Sequence, residues 1–560
     1  MSDYDLVIRG GSILDGSGTA AINGDLAIKD GVIAEIGMVA GAGAREINAA
    51  GALVTPGFVD IHTHYDGLAT WANRMNPSSH HGVTTAVMGN CGVGFAPVRP
   101  ADHRLLVELM EGVEDIPGTA LHEGLPWAWE SFPEYLDFLD GRSYDMDIAT
   151  QLPHAALRVY VMGKRGADRE AATEADIARM RELTAEAVRA GALGFSSSRT
   201  LNHRSITGEP TPSLTAAEAE LVGIALGIKD AGRGVIEMIS DFQTMDTEFD
   251  RLMSMIDVSG APMSISLGQA GRNPERWRRI LAKIDEANRQ GRVVKGQVAP
   301  RAIGLLLGLT TNRHPFMEAA AFAKIADLPL EDKVARMRDP ALRDAILSEV
   351  EASDLYERLW AVDETFDYEP AAADAIAKQA TARGMAPAAL AYDLMLENEG
   401  TRLLYTPIIN YAHGDLECCR EMILAEHTVM GLGDGGAHVG IICDASFVTF
   451  LLTHWGRDRA NGRIDLPTLI KAQTRDTAAA VGLNDRGLLR EGLRADVNVI
   501  DFDRLSISAP HTVYDLPSGA GRLEQPAEGF LATIVAGEVT YENGVATDAL
   551  PGRLVRGQQG

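Results

Sequence analysis

The sequence predicts an α/β protein: a (β/α)8 TIM barrel with a small discontinuous β-sandwich domain and a helical insertion late in the barrel. Three observations support this class. Short apolar runs alternate with amphipathic helical stretches through the middle of the chain, which is the pattern of parallel βα units. Both ends of the chain read as short strands separated by glycine-rich turns. Charged helical segments at about residues 309–400 interrupt the alternation.

The two ends of the chain share one sequence pattern, short alternating strands separated by turns. Near the start, "YDLVIRGGSILDGSG" and "GDLAIKDGVIAEIG" alternate apolar with polar residues and end in turns. Near the end, "RADVNVIDFD" and "ATIVAGEVTYENGV" do the same. We therefore expect residues 1–54 and 488–550 to pair into one β-sandwich domain.

The barrel is expected at residues 55–487. Its eight candidate strands cover residues 54–60, 84–88, 147–152, 192–197, 234–240, 263–267, 293–297 and 429–433. The helices between them include residues 173–190, 215–230 and 274–290. The helical insertion falls between the last two strands, which places it near the mouth of the barrel as a possible lid.

Composition limits the classes of partner. The 560 residues carry a net charge of -27, and such an acidic surface repels nucleic acid. No apolar stretch approaches the ~20 residues of a transmembrane helix, and no basic run indicates a membrane surface site. The N-terminus lacks the pattern of a signal peptide, and four cysteines do not make a disulfide framework. We expect a cytoplasmic protein with a small-molecule partner; its oligomeric state is not predicted.

The stretch "VDIHTHYD" places His62 and His64 at the end of the first candidate strand. On a strand this spacing puts both imidazoles on one face, about 7 Å apart. Cys91 follows the second strand and Asp434 the eighth. In a closed barrel the C-terminal ends of these strands are neighbours. Two imidazoles, a carboxylate and a thiol predict a site for zinc or a similar divalent metal.

Further polar residues follow strands at the same face of the barrel. Arg199 and His203 follow the fourth strand, Arg301 the seventh, and His438 lies four residues beyond Asp434. An arginine at this rim can bind a substrate carboxylate with two hydrogen bonds. The alternatives are ordinary salt bridges for the arginines and a loop position for His438. We expect these four residues to contact substrate.

The motif "LVTPGFVDIHTHYD" resembles the first-strand signature of the amidohydrolase superfamily. "HGVTTAVMGNCGVG" and "GLGDGGAHVG" resemble its D-aminoacylase branch, the N-acyl-D-amino-acid deacylases. The resemblance implies that His62, His64, Cys91 and Asp434 bind metal and that Asp434 also transfers protons. It covers most of the chain.

The sequence departs from this family at two strand ends. The family pattern has a histidine at the end of the fifth strand and another at the end of the sixth; "GVIEMISDF" and "PMSISLGQAG" contain none. Met238 and Leu267 stand at those places, or Glu237 if the register shifts by one residue. The fourth strand also lacks the bridging lysine of some superfamily members. We therefore expect one zinc ion, or another divalent metal, per chain.

The function expected from these residues is hydrolysis of a C–N bond by metal-activated water, with Asp434 as the proton-transfer residue. The resemblance implies a linear amide of an N-acyl (D-)amino acid or a peptide-like compound as substrate. Two alternatives stay open: a hydrolase of cyclic amides or lactones, and a barrel that binds a ligand without turnover.

Overall fold

The structure is a computed structural model, and it describes residues 2–557. Its strands, numbered in chain order, are β1 Tyr4–Ile13, β2 Ile22–Lys29, β3 Val32–Gly37, β4 Gly43–Asn48, β5 Leu53–Pro56, β6 Phe58–Asp60, β7 Val83–Met88, β8 Asp147–Thr150, β9 Leu152–Pro153, β10 Gly194–Arg199, β11 Val235–Ser240, β12 Met263–Ser266, β13 Val294–Val298, β14 Ile303–Leu307, β15 Trp360–Ala361, β16 Leu404–Ile409, β17 Thr428–Met430, β18 Val497–Ile500, β19 Ser506–Ile507, β20 His511–Val513, β21 Arg522–Glu524, β22 Ala527–Glu528, β23 Phe530–Val535, β24 Glu538–Glu542 and β25 Val545–Ala546.

The α-helices, numbered in the same way, are α1 Leu68–Trp71, α2 His103–Glu114, α3 Gly118–Gly124, α4 Phe132–Asp140, α5 His154–Met162, α6 Lys164–Ala167, α7 Glu174–Ala190, α8 Glu218–Ala231, α9 Met245–Ser259, α10 Arg276–Arg289, α11 Ala320–Ala323, α12 Leu330–Met337, α13 Pro340–Glu349, α14 Ile376–Arg383, α15 Pro387–Met395, α16 Glu417–Leu424, α17 Phe447–Phe450, α18 Leu466–Gln473 and α19 Arg475–Ala480. A π-helix, Leu451–Asp458, continues α17. Within residues 2–557, no helix is both long and apolar enough to cross a bilayer.

Strands from both ends of the chain form one sheet, in the order β25-β24-β23-β18-β5-β1-β2-β3, with β4 paired to β1. The junction is the antiparallel pair β5–β18, where Val54 lies opposite Val499. A small β domain built from both chain ends is present, as the sequence predicts, and its ladder is continuous because β18 pairs directly with β5 on one side and β23 on the other. Apolar clusters cover both faces of this sheet, one around Leu6 and Ile534 and the other around Val7 and Ala27.

The eight predicted barrel strands are all present, as β6, β7, β8 with its continuation β9, β10, β11, β12, β13 and β17. Neighbouring strands pair in parallel from β6 to β8 and from β9 to β17. The Leu193 N–H donates to Thr150 O (2.9 Å) between the third and fourth strands. A parallel bridge from Thr63 to Gly435 joins the first strand to the loop after the eighth. These contacts close the barrel and bring its C-terminal loops together.

Local sequence signals explain the helix ends. Thr173 caps α7 by accepting from the Asp176 N–H, while the Asp176 side chain accepts from the Thr173 N–H. This reciprocal arrangement satisfies two backbone donors that a helix start leaves free. Gly191 follows the helix with φ 131°, a conformation that residues with a Cβ rarely adopt. The predicted helix at residues 173–190 is confirmed.

Helices α11 to α15 form the insertion between the seventh and eighth barrel strands. They enclose a separate apolar cluster that includes Phe316, Met337 and Tyr392. The insertion contacts the loop after the eighth strand, where the Asn312 N–H donates to Gly440 O (3.1 Å). Its location between the last two strands agrees with the prediction.

Candidate metal centre

His62 and His64 lie directly after β6 and are both buried. Between them, Thr63 bonds the second strand: its N–H and its hydroxyl both donate to Val87 O, at 3.0 and 2.8 Å. Because Thr63 faces that neighbouring strand, the two histidines face the barrel interior. Their ring centroids are 5.5 Å apart.

Each imidazole has a partner on its Nδ1 side. His62 Nδ1 lies 2.7 Å from Gln297 Oε1 on β13, and His64 Nδ1 lies 3.4 Å from Glu114 Oε1 at the end of α2. Ligand histidines commonly donate one ring N–H to an acceptor of this kind while the other nitrogen binds metal. The Nε2 atoms of both rings are therefore the ones available as ligands.

The side chains of Cys91 and Asp434 lie close to these Nε2 atoms. His62 Nε2 is 3.3 Å from Cys91 Sγ and 3.4 Å from Asp434 Oδ1, and His64 Nε2 is 3.6 Å from the same oxygen. Ligand atoms of His62, His64 and Cys91 all lie within 4.8 Å of one another. Metal–ligand bonds of 2.0–2.3 Å in tetrahedral geometry require ligand atoms about 3.3–3.8 Å apart. The donor set and its spacing fit a divalent ion such as zinc.

The backbone is strained at this point. Cys91, Asp434 and His438 have φ values of 54°, 44° and 50°, in the left-handed region that non-glycine residues seldom adopt. Gly436, with φ 87°, permits the close turn, since a Cβ there would lie 2.7 Å from a ring carbon of Tyr65. Strain of this kind concentrates at functional sites, where the surrounding structure holds it.

The site contains more acidic groups than it can neutralise alone. Burial raises the pKa of the Glu237 carboxyl to about 7, and burial together with nearby carboxylates raises the pKa of Glu114 and of the Cys91 thiol well above their usual values. Neither Glu237 nor Glu114 has an arginine or lysine ion-pair partner within residues 2–557. Without a counter-charge these raised pKa values favour the protonated forms, and a divalent cation bound here would favour ionisation of the groups beside it.

Asp434 behaves differently from these carboxyls. Burial opposes its ionisation, but the neighbouring imidazoles, first His64 and then His62 and His438, outweigh burial and lower the pKa of Asp434 below its usual value. In contrast, burial lowers the pKa of His64 to about 4. At neutral pH the carboxylate is therefore ionised and the imidazole neutral, as metal ligands must be.

The fifth strand presents Glu237, not Met238, to the interior. Glu237 is buried and its Oε2 accepts from the Cys91 N–H (3.0 Å), whereas Met238 packs in the main hydrophobic cluster. Leu267, after β12, is also a core residue. The expectation that Met238 stands at the site is wrong because strand residues alternate between faces, and the register places Glu237 beside Ser196 and Ser264.

His203 and His438 lie near the proposed metal-ligand residues, and the substrate contacts expected of them stay a prediction. His203 Nδ1 bonds Ser198 Oγ (2.9 Å), and burial, followed by the charges of His438 and His64, lowers the pKa of His203 to about 3. His438 Nε2 lies 3.7 Å from Glu114 Oε2, and its side chain is one-quarter exposed.

The structure places both predicted arginines elsewhere. Arg199 pairs with Glu248 and donates to Ala216 O, because it lies on the face of β10 opposite to Ser198. Arg301 is buried; it pairs with Asp444 (3.2 Å) and stacks on the Tyr368 ring (3.5 Å to the centroid). Both guanidiniums bind protein groups in this structure, and the substrate contacts expected of Arg199 and Arg301 stay a prediction.

An apolar cleft opens beside Asp434 and His64. Its walls come from α1, from the region of α3, from the loop after the eighth strand and from the C-terminal segment, and include Leu68, Trp71, Ile116, Val439, Leu516 and Leu523. The C-terminal segment reaches the loop through the Leu523 N–H, which donates to Val439 O (2.7 Å). The sequence analysis did not predict that the C-terminal segment lines the cleft, because the sequence of a short apolar strand does not indicate which surface the strand packs against.

A model of the amidohydrolase family matches residues 45–541, and the chain belongs to that family. Fold and family together define a metal-dependent hydrolase of amide C–N bonds. The chain is 25% identical to N-acyl-D-glutamate deacylase of Alcaligenes xylosoxydans xylosoxydans, over 99% of this chain and 96% of that one. It is 36% identical to D-aminoacylase of the same organism, over 34% of this chain and 37% of that one.

Solved structures show the same fold. A D-aminoacylase structure superposes with a TM-score of 0.66 at 22% identity, covering 99% of this chain and 100% of the other. N-acyl-D-glutamate deacylase from Bordetella bronchiseptica, solved with zinc and a phosphonate inhibitor, gives a TM-score of 0.64 at 22% identity, covering 99% of each chain. The predicted barrel architecture is confirmed.

Proposed function

We propose that this protein hydrolyses the linear amide bond of N-acyl D-amino acids at a single zinc ion held by His62, His64 and Asp434, with Cys91 beside or bound to it. The observation that carries the proposal is the spacing of four donor atoms from three separate barrel strands. Three of their separations are 3.3 to 3.6 Å, from His62 Nε2 to Cys91 Sγ and to Asp434 Oδ1 and from His64 Nε2 to Asp434 Oδ1, and such distances match edges of a metal coordination sphere.

The chain's own residues supply the proton transfers. When bound, the metal polarises the substrate carbonyl and lowers the pKa of a water molecule. With that water in place, the Asp434 carboxylate, which its lowered pKa keeps ionised at neutral pH, would accept the water's proton and return it to the leaving amine. Gln297 keeps the His62 imidazole oriented through the contact between its Oε1 and His62 Nδ1.

The substrate class follows from the relatives and the cleft. D-aminoacylase and N-acyl-D-glutamate deacylase, by their names, act on N-acylated D-amino acids. The walls of the cleft beside Asp434 are mainly apolar, which favours an apolar substrate group there, since burying it removes apolar surface from water. His203 and His438 are our candidates for contacts with the polar part of the substrate, since both lie near Asp434.

We also propose that the enzyme works in the cytoplasm on small molecules and binds neither nucleic acid nor membranes. Its four cysteines are all free, which suits a reducing compartment. The net charge of -27 opposes binding to phosphate backbones and to anionic lipid surfaces.

The test is a screen of N-acyl amino acids, in D and L forms, with zinc-loaded protein and detection of the released amine. We expect release from D substrates, and loss of release in His64→Gln. His413→Gln serves as the matched control, because His413 is exposed and, within residues 2–557, pairs only with Glu275. Equal release by wild type and His64→Gln, or turnover confined to cyclic amides or lactones, would refute the proposal.

A further inference from the structure

Glu114 is a buried carboxylate that the proposed chemistry does not use directly. It is the last residue of α2, outside the barrel strands, and is 1% exposed. Its Oε1 lies 3.4 Å from His64 Nδ1. Neither of these two atoms has a hydrogen-bond partner within residues 2–557. The two atoms therefore approach each other at ion-pair distance without a completed hydrogen bond.

We infer that Glu114 is a positioning residue, which fixes the orientation and tautomer of His64 and ties it to the loop that carries Asp434; the inference rests on the proposed metal site. An acceptor at Nδ1 places the imidazole proton there and leaves the Nε2 lone pair free. His64 Nε2 is the atom that faces Asp434 Oδ1, at 3.6 Å. Glu114 thus selects the tautomer in which His64 can bind metal toward Asp434.

A second set of contacts extends from the end of α2 to the loop after the eighth strand. Glu114 O accepts from the His438 N–H, and Glu114 Oε2 lies 3.7 Å from His438 Nε2. The next residue, Asp115, accepts from the Gly440 N–H (3.2 Å). One helix end therefore contacts both the first-strand ligand His64 and the segment following the eighth-strand ligand Asp434.

The position of Glu114 is specific within its helix. Glu111, one turn earlier, accepts from the Gly118 N–H (3.1 Å), which fixes the start of α3. Loss of Glu111 affects only that local contact. Loss of the acceptor at position 114 leaves His64 free to rotate and to adopt the other tautomer, which weakens metal binding.

The experiment measures metal affinity with a competing chelator in wild type, Glu114→Met, Glu114→Gln and Glu111→Met. Glu114→Met removes the acceptor at similar volume, and we expect a 10–100-fold weaker affinity, the usual effect of losing such a partner. Glu114→Gln keeps an acceptor oxygen and should recover part of that loss. Glu111→Met should bind like wild type.

A second readout needs no variant. In zinc-loaded wild type labelled with 15N-histidine, we expect His64 to carry its proton on Nδ1. A proton on Nε2, or equal affinity in wild type and Glu114→Met, would overturn the inference. If Glu114→Met does not fold, the tautomer of wild type decides alone. Failure of wild type to bind any divalent metal would instead refute the proposed function, which separates the two outcomes.

Discussion

Asp434 is the residue whose chemistry the proposal depends on most directly. Asp434→Asn keeps the shape of the side chain and removes its basicity. We expect turnover to fall at least ~10²-fold, the scale of positioned acid–base groups. Steady-state kinetics on protein of verified fold and metal content would test this. Near-normal turnover in such a protein would exclude Asp434 as the proton-transfer residue.

His81 makes stability depend on pH. It is buried, with Nδ1 2.8 Å from Thr449 Oγ1 and Nε2 2.8 Å from Gln525 O. Burial lowers the pKa of His81 to about 3, well below the ~6.5 of an unfolded chain. The unfolded state binds the proton first, so this contribution is complete above pH ~6.5 and is lost as pH falls, by about 1.4 kcal/mol per unit.

His81→Gln should therefore unfold with a shallower pH dependence than wild type between pH 6 and pH 4. The free energy of unfolding from urea titrations at several pH values provides the measurement. His413→Gln, on an exposed side chain, is the control and should keep the wild-type slope. Parallel slopes for wild type and His81→Gln would contradict the assignment.

The sequence could predict some site residues and not others, for a geometric reason. His62, His64, Cys91 and Asp434 directly follow barrel strands, so strand order alone brings them together. The metal-ligand roles of these four stay predictions. To predict that Glu237 faces the site, the strand register must be known to within one residue, because a one-residue shift exchanges the two faces of the strand. Glu114 is the last residue of a helix, and sequence periodicity does not predict which residues a side chain at a helix end contacts.

At the scale of elements, the insertion offers a test of the lid hypothesis. The segment before helices α11 to α15 contacts the loop after Asp434, where the Asn312 N–H donates to Gly440 O. We expect hydrogen exchange in residues 309–400 to slow when a product or inhibitor binds, as lids do on closure. The sheet of β1 to β5, which contributes no residue to the proposed site, is the internal reference. Unchanged exchange in the insertion would exclude the lid role.

The order of elements was predictable because apolar runs and amphipathic helices alternate regularly. What the sequence could not provide was the pairing between distant segments. The nine-stranded sheet depends on β5 meeting β18, and the cleft depends on Leu523 meeting Val439; both are long-range contacts without a local signal. The domain division at residues 1–54 with 488–550 and 55–487 stays a prediction.

For the whole molecule, we predict about one divalent metal per chain. His62, His64 and Asp434 provide three protein ligands and leave an open position, the usual catalytic arrangement. Elemental analysis of protein purified without chelator provides the count. Two equivalents would mean that Glu237, whose Oε1 has no hydrogen-bond partner within residues 2–557, holds a second ion together with Cys91.

Because one sheet contains strands from both chain ends, the protein cannot finish folding until the strands near its C-terminus have been synthesised. During synthesis β5 emerges early, but its partner β18 follows only after the whole barrel sequence. At ~5–20 residues per second, the ribosome takes on the order of tens of seconds to deliver it. Throughout that time Val54 and the open edge of β5 lack their neighbour, and such an edge is a template for pairing with other chains. The nascent chain is therefore a natural client for chaperones that bind exposed strands, until its last strands leave the ribosome.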